Sequence, residues 1–377
     1  MTTTFSLHSK QLHLNRYPIY KKDLLQAWDA ADEYMINYIM DHQNTFDLTP
    51  NKSMTIIGDS FGTLSAWFSS LCQVSMISDS YISHQATNSN LKQNQLPEIH
   101  LLDPLMPLPR TDFYIMRLPR NNKLLIWHLI QLSQALPQNT QIITTGKAKD
   151  IHSSTLKLFE KYLGPTQTSL AVKKSRLIFT QVDKSKQRSL PNPLTWPVPE
   201  HDMILSNHAN VFSGESLDIG ARFMLDYIPQ DPHLLHIIDL GCGNGVLGIK
   251  AAKLNPQAKV TCIDESFMAC ASTTINATLN LGETHKLNTL ANNALDGFPA
   301  NSADLILCNP PFHQQNTLTD HIAWDMFKGA FKALKKGGKL RVIGNSHLKH
   351  QYKLKQIFKT YKLIASNKKF TVMEVEK

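Results

Sequence analysis

At 377 residues the chain is longer than a typical single domain of roughly 100 to 200 residues, so its length predicts two domains. Its hydrophobic fraction of 42% and charged fraction of 18% are typical of folded globular proteins and exclude the disordered and fibrous classes. The formal net charge of +9 favours a polyanionic partner, with nucleic acid as the first candidate, although charge carries no information about the fold.

The start of the chain and its cysteines indicate a compartment. The stretch MTTTFSLHSKQLHLNRYPIY lacks the apolar core of a signal peptide, and no run of about 18 apolar residues is present to span a bilayer. This predicts a cytoplasmic protein without a membrane partner. The five cysteines lack C-x-x-C spacing and lie in or beside apolar runs, which predicts reduced and buried thiols: Cys72, Cys242, Cys262, Cys270 and Cys308.

The first half reads as strands alternating with helices. The stretch MTIIGDSFGTLSAWF (54–68) predicts a strand, a glycine turn and a helix, and SDSYISHQATNSNLKQN (78–94) predicts the end of a second strand and its helix. A further strand is predicted in TDFYIMRLPR (111–120). The segment DKSKQRSLPNPLTWPVPEHD (183–202) is polar, basic and rich in proline, as expected of a linker. We therefore place a domain boundary near residue 190, which gives domains 1–190 and 191–377.

The second half shows the same alternation more clearly. The predicted strands are HIIDL (236–240), KVTCID (259–264), KLNTLA (286–291), ADLILC (303–308), KLRVIG (339–344), KLIAS (362–366) and FTVMEVE (370–376). Helices are predicted between them, over 246–254, 266–282, around 318–338 and around 348–361. This order predicts an α/β fold with a parallel sheet, helices on both faces, and antiparallel strands at the end.

The two halves match segment by segment, which predicts a duplication. Three pairs of residues coincide: Gly58 with Gly241, Gly62 with Gly245, and Asp79 with Asp264. The first half departs from the second where Ile56 replaces Asp239 and where Arg117-Leu118-Pro119 replaces Asn309-Pro310-Pro311. The first copy is therefore predicted to keep the fold and to have lost the chemistry.

The loop DLGCGNG follows a buried strand and begins a helix, which is the context of a nucleotide-binding turn. Glycines let the backbone come close to a ligand. Asp264 ends the second strand, where a carboxylate binds both hydroxyls of a ribose. A dinucleotide site and a simple tight turn are the alternatives. Asp239 precedes the loop, and on these residues alone the nucleotide alternatives remain open.

Together with Asn309-Pro310-Pro311-Phe312, this pattern resembles the class I methyltransferases that use S-adenosylmethionine. The resemblance implies two tandem Rossmann-like methyltransferase domains, the first degenerate. It also implies a cofactor site formed by Asp239, Gly241, Cys242, Gly243, Gly245, Asp264, Asn292, Asn293, Ala294, Phe212 and Asn309. Asn292 and Asn293 are equally expected as turn residues, and Phe267 is expected either beside the adenine or in the helix core.

The double proline is interpreted as a clamp for a base amine. The Asn309 side-chain oxygen and the Pro310 carbonyl are expected to accept the amine hydrogens, while Pro310 and Pro311 hold the backbone rigid. Phe312 is expected to stack on the base, and His313 either to contact the substrate or to begin the next helix. No metal site is predicted, because His347 and His350 have no matching ligands and are expected at the surface. The tetrapeptide alone fits adenine, guanine or glutamine.

Over its whole length the chain resembles the bacterial ribosomal RNA guanine-N2 methyltransferases, and in particular those of the large subunit. The resemblance is carried by LQAWDAADEYMI, SDSYIS, GKAKDIHSSTLKLFEKYLGPT, NHANVFS and NPPFH. It implies methyl transfer from S-adenosylmethionine to the N2 amine of a guanine in 23S ribosomal RNA or a large-subunit particle, with no obligate protein partner. The alternatives are 16S RNA, DNA adenine or protein glutamine as substrate, and a non-catalytic RNA-binding or assembly factor.

Two further surfaces are predicted. The segment NVFSGESLDIGARF (210–223) is expected to cover the cofactor, with Phe212, Ser213 and Asp218 nearest to it, or else to be a purely structural helix hairpin. The first domain, having lost its motifs, is expected to bind RNA. Its candidate phosphate contacts are Arg117, Arg120, Lys147, Lys149, Lys173, Lys174 and Arg176.

Overall fold

The computed structural model describes residues 3–20, 25–311, 317–346 and 350–377, with the side chains of 317–320 left aside. The chain divides into two compact units, Met1–Pro191 and Asn192–Lys377. Across the described ranges, none of the helices has the length and apolar character needed to cross a membrane.

The first unit is a seven-stranded sheet preceded by a hairpin. Its strands are β1 (Thr4–Leu7), β2 (Lys10–His13), β3 (Ser53–Ile57), β4 (Gln73–Ile77), β5 (His100–Leu102), β6 (Phe113–Arg117), β7 (Gln141–Lys147), β8 (Thr166–Thr168) and β9 (Ser175–Gln181). Its helices are α1 (Ala30–Asp41), α2 (Gln43–Phe46), α3 (Thr63–Phe68), α4 (Tyr81–Gln93), α5 (Asn122–Ala135) and α6 (Ser153–Tyr162). The sheet order is β5-β4-β3-β6-β7-β9-β8.

The second unit repeats this plan. Its strands are β10 (Leu194–Val198), β11 (Met203–Asn207), β12 (His236–Leu240), β13 (Lys259–Asp264), β14 (Leu287–Ala291), β15 (Ala303–Cys308), β16 (Leu334–Asn345), β17 (Lys362–Ser366) and β18 (Phe370–Glu376). Its helices are α7 (Ile219–Leu225), α8 (Val246–Leu254), α9 (Phe267–Leu281), α10 (Thr317–Ala333) and α11 (His350–Phe358). The order β14-β13-β12-β15-β16-β18-β17 is that of the first sheet, and both confirm the predicted α/β class.

The central strand β12 shows why its sequence is almost wholly apolar. Ile237 packs in one cluster with Val246 and Ile249 of α8. Its neighbour Ile238 packs in another cluster with Phe327 and Leu340. Since successive side chains of a strand point to opposite faces, the two clusters cover both faces of the sheet, as parallel sheets require.

The glycine turns confirm the duplication. Gly58 N donates to Ile77 O at 2.8 Å, and Gly241 N donates to Ile263 O at 2.8 Å. Both glycines have positive φ, +81° and +75°, which a side chain rarely tolerates. The same backbone turn therefore follows the first central strand of each sheet.

One predicted match was wrong by one residue. Because Ile77 and Ile263 occupy the same position, Ser78 stands where the second unit has Asp264, and Asp79 follows it. The helix N-caps agree, since Ser80 and Ser266 each cap the next helix with the side-chain oxygen. The first unit thus has no carboxylate at the ribose position.

His350 was predicted at the surface, and this was wrong. It is 4% exposed, and its ring meets the edge of Phe327 at 5.6 Å between centroids. A Cβ built on Gly344 would lie 2.4 Å from His350 Cδ2, so the imidazole rests directly on β16. In α11 the spacing of four residues places His350, Leu354 and Phe358 on one buried face. The other histidine of this prediction, His347, lies outside the described residues.

The five cysteines are all buried, and none of them forms a disulfide, as the sequence predicted.

Candidate functional site

The loop between β12 and α8 forms a cradle. Gly241, Gly243 and Gly245 have φ of +75°, +56° and +80°. A Cβ on Gly245 would lie 2.5 Å from Thr273 Cγ2, whereas a Cβ on Gly243 would have nothing within 4 Å. Gly245 therefore permits close packing of α8 against α9, and Gly243 borders open space. Thr273 Oγ1 donates to Gly243 O at 3.0 Å and fixes the loop.

Asp239 presents an unused acceptor at the start of this loop. The residue is fully buried, and its Oδ2 accepts from Gly248 N at 2.8 Å. Its Oδ1 is buried without a hydrogen-bond partner among the described residues. Burial raises the pKa of Asp239 to about 7, the Gly248 hydrogen bond opposes this, and nearby Asp264 adds to it. An uncompensated buried carboxylate of this kind is suited to a cation or a strong donor.

Asp264 ends β13 beside the same loop. Its Oδ2 accepts from Gly243 N at 2.8 Å, and its Oδ1 accepts from Ser266 N at 3.0 Å. Burial raises the pKa of Asp264, while these two backbone donors act in the opposite direction. The backbone of Glu265 also donates to this carboxylate, so about one of its roughly four lone pairs remains for a ligand hydroxyl.

The two asparagines of the predicted adenine segment use their side-chain NH₂ groups locally. Asn292 Nδ2 donates to Asp296 O at 2.9 Å and to Ala294 O at 3.3 Å. Asn293 Nδ2 donates to Asp296 Oδ2 at 2.7 Å, and Ala294 has φ of +46°. These bonds are those of a local turn, which was the alternative prediction for the two asparagines. The two side-chain NH₂ groups are thus used within the turn.

Three other predicted residues differ in exposure. Phe212 is 61% exposed, Phe267 is half-buried at the start of α9, and Cys242 is 7% exposed. Cys242 Sγ lies 3.6 Å from Thr273 Oγ1, so its side chain points into the packing between α8 and α9. Cys242 therefore has only its backbone to offer a ligand.

Asn309 is held at the end of β15 by a carboxylate. Its Nδ2 donates to Asp218 Oδ2 at 3.1 Å, and its Oδ1 is buried with no partner in the described part of the chain. A Cβ on Gly241 would lie 3.9 Å from Asn309 O, so this strand end adjoins the cradle. Pro310 is buried and Pro311 exposed. Phe312 and His313 lie outside the described residues.

The first unit closes the corresponding position with an ion pair. Arg117 Nη1 lies 2.8 Å from Asp29 Oδ1 and 2.7 Å from Asp32 Oδ1, and its side chain is 18% exposed. The prediction that Arg117 meets RNA phosphate is therefore wrong, because its guanidinium is already neutralised inside the unit. Ile56, fully buried, occupies the position of Asp239.

The other predicted RNA contacts are more accessible. Arg120, Lys147, Lys149, Lys173 and Lys174 are exposed, and Arg176 is half-buried. Two of them form a tight turn: Lys173 and Lys174 have φ of +45° and +62°, and Val172 and Ser175 on either side exchange hydrogen bonds of 2.9 and 2.8 Å. Such turns favour Asn-Gly, so lysine at both positions costs free energy locally. We call residues 172–175 the Lys-Lys turn.

Within the described ranges, His, Cys, Asp and Glu side chains form no group of three or more that is arranged to hold a metal ion. The acceptors beside the cradle are instead separate groups: Asp239 Oδ1, the Asp264 carboxylate and Asn309 Oδ1.

Two family profiles cover most of the chain. The profile described as the RLMG N-terminal domain matches residues 2–184, and the profile described as the methyltransferase small domain matches residues 202–374. The second profile contains both the cradle and Asn309.

Similar proteins were found in sequence and in structure. The ribosomal RNA large subunit methyltransferase G of Photobacterium profundum is 52% identical over 375 residues, which is 99% of each chain. Its counterpart in Vibrio vulnificus is 52% identical over 380 residues, 100% of each chain. The structure of the T. thermophilus 16S rRNA N2 methyltransferase RsmC, in complex with AdoMet and guanosine, covers 99% of this chain and 97% of its own, with a TM-score of 0.77. At 17% identity this last likeness shows the fold alone.

The site and the sequence relatives agree. The methyltransferase profile matches the part of the chain that contains the glycine cradle, the carboxylates of Asp239 and Asp264, and the amide of Asn309 at the end of β15. Half of the residues are identical to the named relatives over the full length. The chain therefore belongs to the family of the ribosomal RNA large subunit methyltransferase G.

Proposed function

We propose that this chain transfers a methyl group from S-adenosylmethionine to the exocyclic N2 amine of a guanine in 23S ribosomal RNA. The observation that carries the proposal is Asn309 Oδ1, a buried acceptor without a partner in the described residues, at a strand end that adjoins the glycine cradle. Unit Asn192–Lys377 is proposed as the catalytic domain and unit Met1–Pro191 as an RNA-binding domain.

The residues of the cradle fit the proposed cofactor. S-adenosylmethionine, when bound, supplies a methyl group on a sulfonium that leaves as a neutral thioether. Asp239 Oδ1 is proposed to bind the ammonium, since it is a buried carboxylate oxygen without a described partner. Asp264 is proposed to bind a ribose hydroxyl, and the open space at Gly243 leaves room for the methionine part.

The strand end is proposed to hold the amine by its hydrogens. The lone pair of an exocyclic amine is delocalised into the base, so the nitrogen is a weak nucleophile. Asn309 Oδ1 and the Pro310 carbonyl would each accept one N–H, which orients the nitrogen toward the methyl donor. The nitrogen would bond to the methyl carbon as the carbon–sulfur bond breaks, and one amine proton would then pass to solvent. Because the Asn309 amide is already anchored to Asp218, this acceptor needs no ordering at each turnover.

The RNA substrate is proposed from the relatives and the charge. The sequence relatives are named as methyltransferases of the large-subunit RNA, and the structural neighbour is named for the same guanine nitrogen in 16S RNA. The Lys-Lys turn presents the exposed side chains of Lys173 and Lys174 at the tip of a hairpin, with Leu170 beside them 86% exposed. Lys173 Nζ is paired with Glu33 Oε2 at 2.8 Å on the exposed surface, so a phosphate would have to compete with that carboxylate. With ribosomal RNA as the proposed substrate, the proposed compartment is the cytoplasm.

Transfer of labelled methyl groups to separated RNAs tests the proposal. Ribosomal RNA from a strain that lacks the gene for this chain is separated into 23S and 16S, and each is offered both free and in its subunit. We expect label in 23S RNA, and N2-methylguanosine as the labelled nucleoside after complete digestion. Asn309→Ala serves as the inactive control.

The possible outcomes separate the alternatives. Label confined to 16S RNA would replace the substrate, and label in another nucleoside would replace the acceptor atom. Binding of RNA without transfer, in free RNA and in particles, would indicate a non-catalytic RNA-binding or assembly factor.

A further inference from the structure

We infer that Asp218 is a positioning residue, which sets the Asn309 amide with its oxygen toward the substrate amine. The inference rests on the proposed function and deepens it. Asp218 is the N-cap of α7, and a single oxygen, Oδ2, accepts both from Ala221 N at 2.8 Å and from Asn309 Nδ2 at 3.1 Å. The amide is thus tied to the first turn of a helix.

The chemistry of a carboxylate decides which way the amide points. An ionised carboxylate only accepts hydrogen bonds, so the group of Asn309 that faces Asp218 must be the NH₂. The oxygen is then directed elsewhere, and it is the buried atom without a partner in the described ranges. With the amide turned over, two oxygens would face each other and a donor would meet the amine. Asp218 therefore selects the rotamer that accepts.

The first unit contains the same contact in an altered form. Met116 pairs with Ile57 as Cys308 pairs with Leu240, so the residue after each, Arg117 or Asn309, holds the same strand end.

A helix N-cap faces that strand end in both units. In the first unit Asp29 caps α1 and accepts from Arg117 Nη1 at 2.8 Å. In the second unit Asp218 caps α7 and accepts from Asn309. In each unit, therefore, the carboxylate of a helix N-cap residue accepts a hydrogen bond from the side chain at the end of the corresponding strand, β6 in the first unit and β15 in the second.

The two versions differ in what they leave for a substrate. Arg117 is a donor at every nitrogen and is held by Asp29 and Asp32, so the first unit offers no side-chain acceptor at this point. Asn309 uses its donor on Asp218 and keeps its acceptor. The shared carboxylate organises the strand end, and the residue opposite it determines whether an amine has a place to bind.

The test separates orientation from helix capping. In Asp218→Ser the hydroxyl still caps α7 but ends one bond short of Asn309. In Asp218→Asn the amide oxygen is able to accept from both donors, because Oδ2 alone makes both contacts. Asp183→Ser is the matched control, since Asp183 caps a short helix in the first unit by accepting from Ser185 N.

Three quantities are measured with 23S RNA: kcat, the Kd of S-adenosylmethionine, and the melting temperature. We expect kcat of Asp218→Ser to fall at least about 10-fold, as for loss of one preorganised contact, with the Kd within about 2-fold of wild type. Asp218→Asn should recover to within about 3-fold, and Asp183→Ser should match wild type. A kcat of Asp218→Ser within about 2-fold of wild type, or Asp218→Asn as impaired as Asp218→Ser, overturns the inference.

A second measurement does not depend on catalysis. The side-chain amide resonances of Asn309 are assigned in ¹⁵N spectra by their absence in Asn309→Ala. We expect these resonances to move in Asp218→Ser and to remain near their wild-type position in Asp218→Asn. Unmoved resonances in Asp218→Ser overturn the inference. An inactive wild type would contradict the proposed function, while the resonances still decide the role of Asp218.

Discussion

Binding of S-adenosylmethionine should weaken as pH falls, because it requires ionised Asp239. Burial raises the pKa of this carboxyl to about 7 in the free chain. A bound ammonium would stabilise the ionised form, so only the deprotonated fraction binds. That fraction is one half at about pH 7 and roughly 3% at about pH 5.5, which predicts a Kd about 15-fold higher at the lower pH. The α-amino group of the cofactor stays protonated over this range.

Isothermal titration calorimetry across this range measures the effect, and buffers of different ionisation enthalpy count the protons released. Binding near pH 7 should release about half a proton from Asp239. Asp239→Asn should bind more weakly and lose most of the pH dependence. Any pH dependence of binding that remains in Asp239→Asn would come from Asp264, whose pKa is also raised by burial.

The stability of the cofactor-free chain provides the control for folding. The folded-state pKa of Asp239, about 7, lies above the unfolded value. The wild type therefore loses stability as pH rises between the two values, by up to about 4 kcal/mol. Asp239→Asn lacks this loss and should unfold at a higher temperature than wild type at about pH 7.5. An equal Kd for the wild type at both ends of the pH range would refute the reasoning.

Three further predictions concern other parts of the chain. Gly243→Ala and Gly245→Ala both place a side chain at positive φ, but only the Cβ at Gly245 also meets α9, at 2.5 Å, so Gly245→Ala should lower the melting temperature more. Gly243→Ala should lose cofactor affinity in the same titration, and a larger loss of melting temperature in Gly243→Ala would contradict the assignment of the cradle. Replacing Lys173 and Lys174 with alanine should make the slope of log binding constant against log salt concentration less negative by about 0.7 per lost phosphate contact. An unchanged slope would exclude the Lys-Lys turn as an RNA contact. Arg117→Ala should cost about 3 to 5 kcal/mol in denaturant unfolding, because it leaves two carboxylates without their cation; no loss of stability would contradict the buried ion pair.

Sequence alone predicted the elements whose signals are local. The strand 236–240 was predicted at the bounds observed, and the helix predicted over 266–282 is observed over Phe267–Leu281. Gly241 and Gly245 have the positive φ that their place in the motif requires. In each case neighbouring residues carry the information, through an apolar run, a glycine or a cap.

The errors arose where distant residues decide. Arg117 looked like a surface cation, but its partner Asp29 lies 88 residues earlier in the chain. His350 was expected at the surface because it had no matching metal ligands in the sequence, while the packing of α11 on β16 buries it. Asp79 was matched to Asp264 by residue identity, although the backbone pairing places it one residue later.

The role of Asp218 also required the structure. The sequence predicted Asp218 only as a residue near the cofactor. The contact with Asn309 joins residues 91 positions apart, and no local pattern signals it. The orientation of the Asn309 amide follows from that contact, which is why the sequence motif alone could not supply it.

The central claim is that Asn309 accepts a hydrogen of the base amine, and single-turnover methyl transfer by Asn309→Ala tests it most directly. The variant is compared with wild type and with Asn288→Ala, which alters an exposed asparagine on β14. We expect the transfer rate of Asn309→Ala to fall by about 10² to 10³, with cofactor Kd and melting temperature close to wild type. A transfer rate within about 3-fold of wild type on saturating 23S RNA would contradict the account.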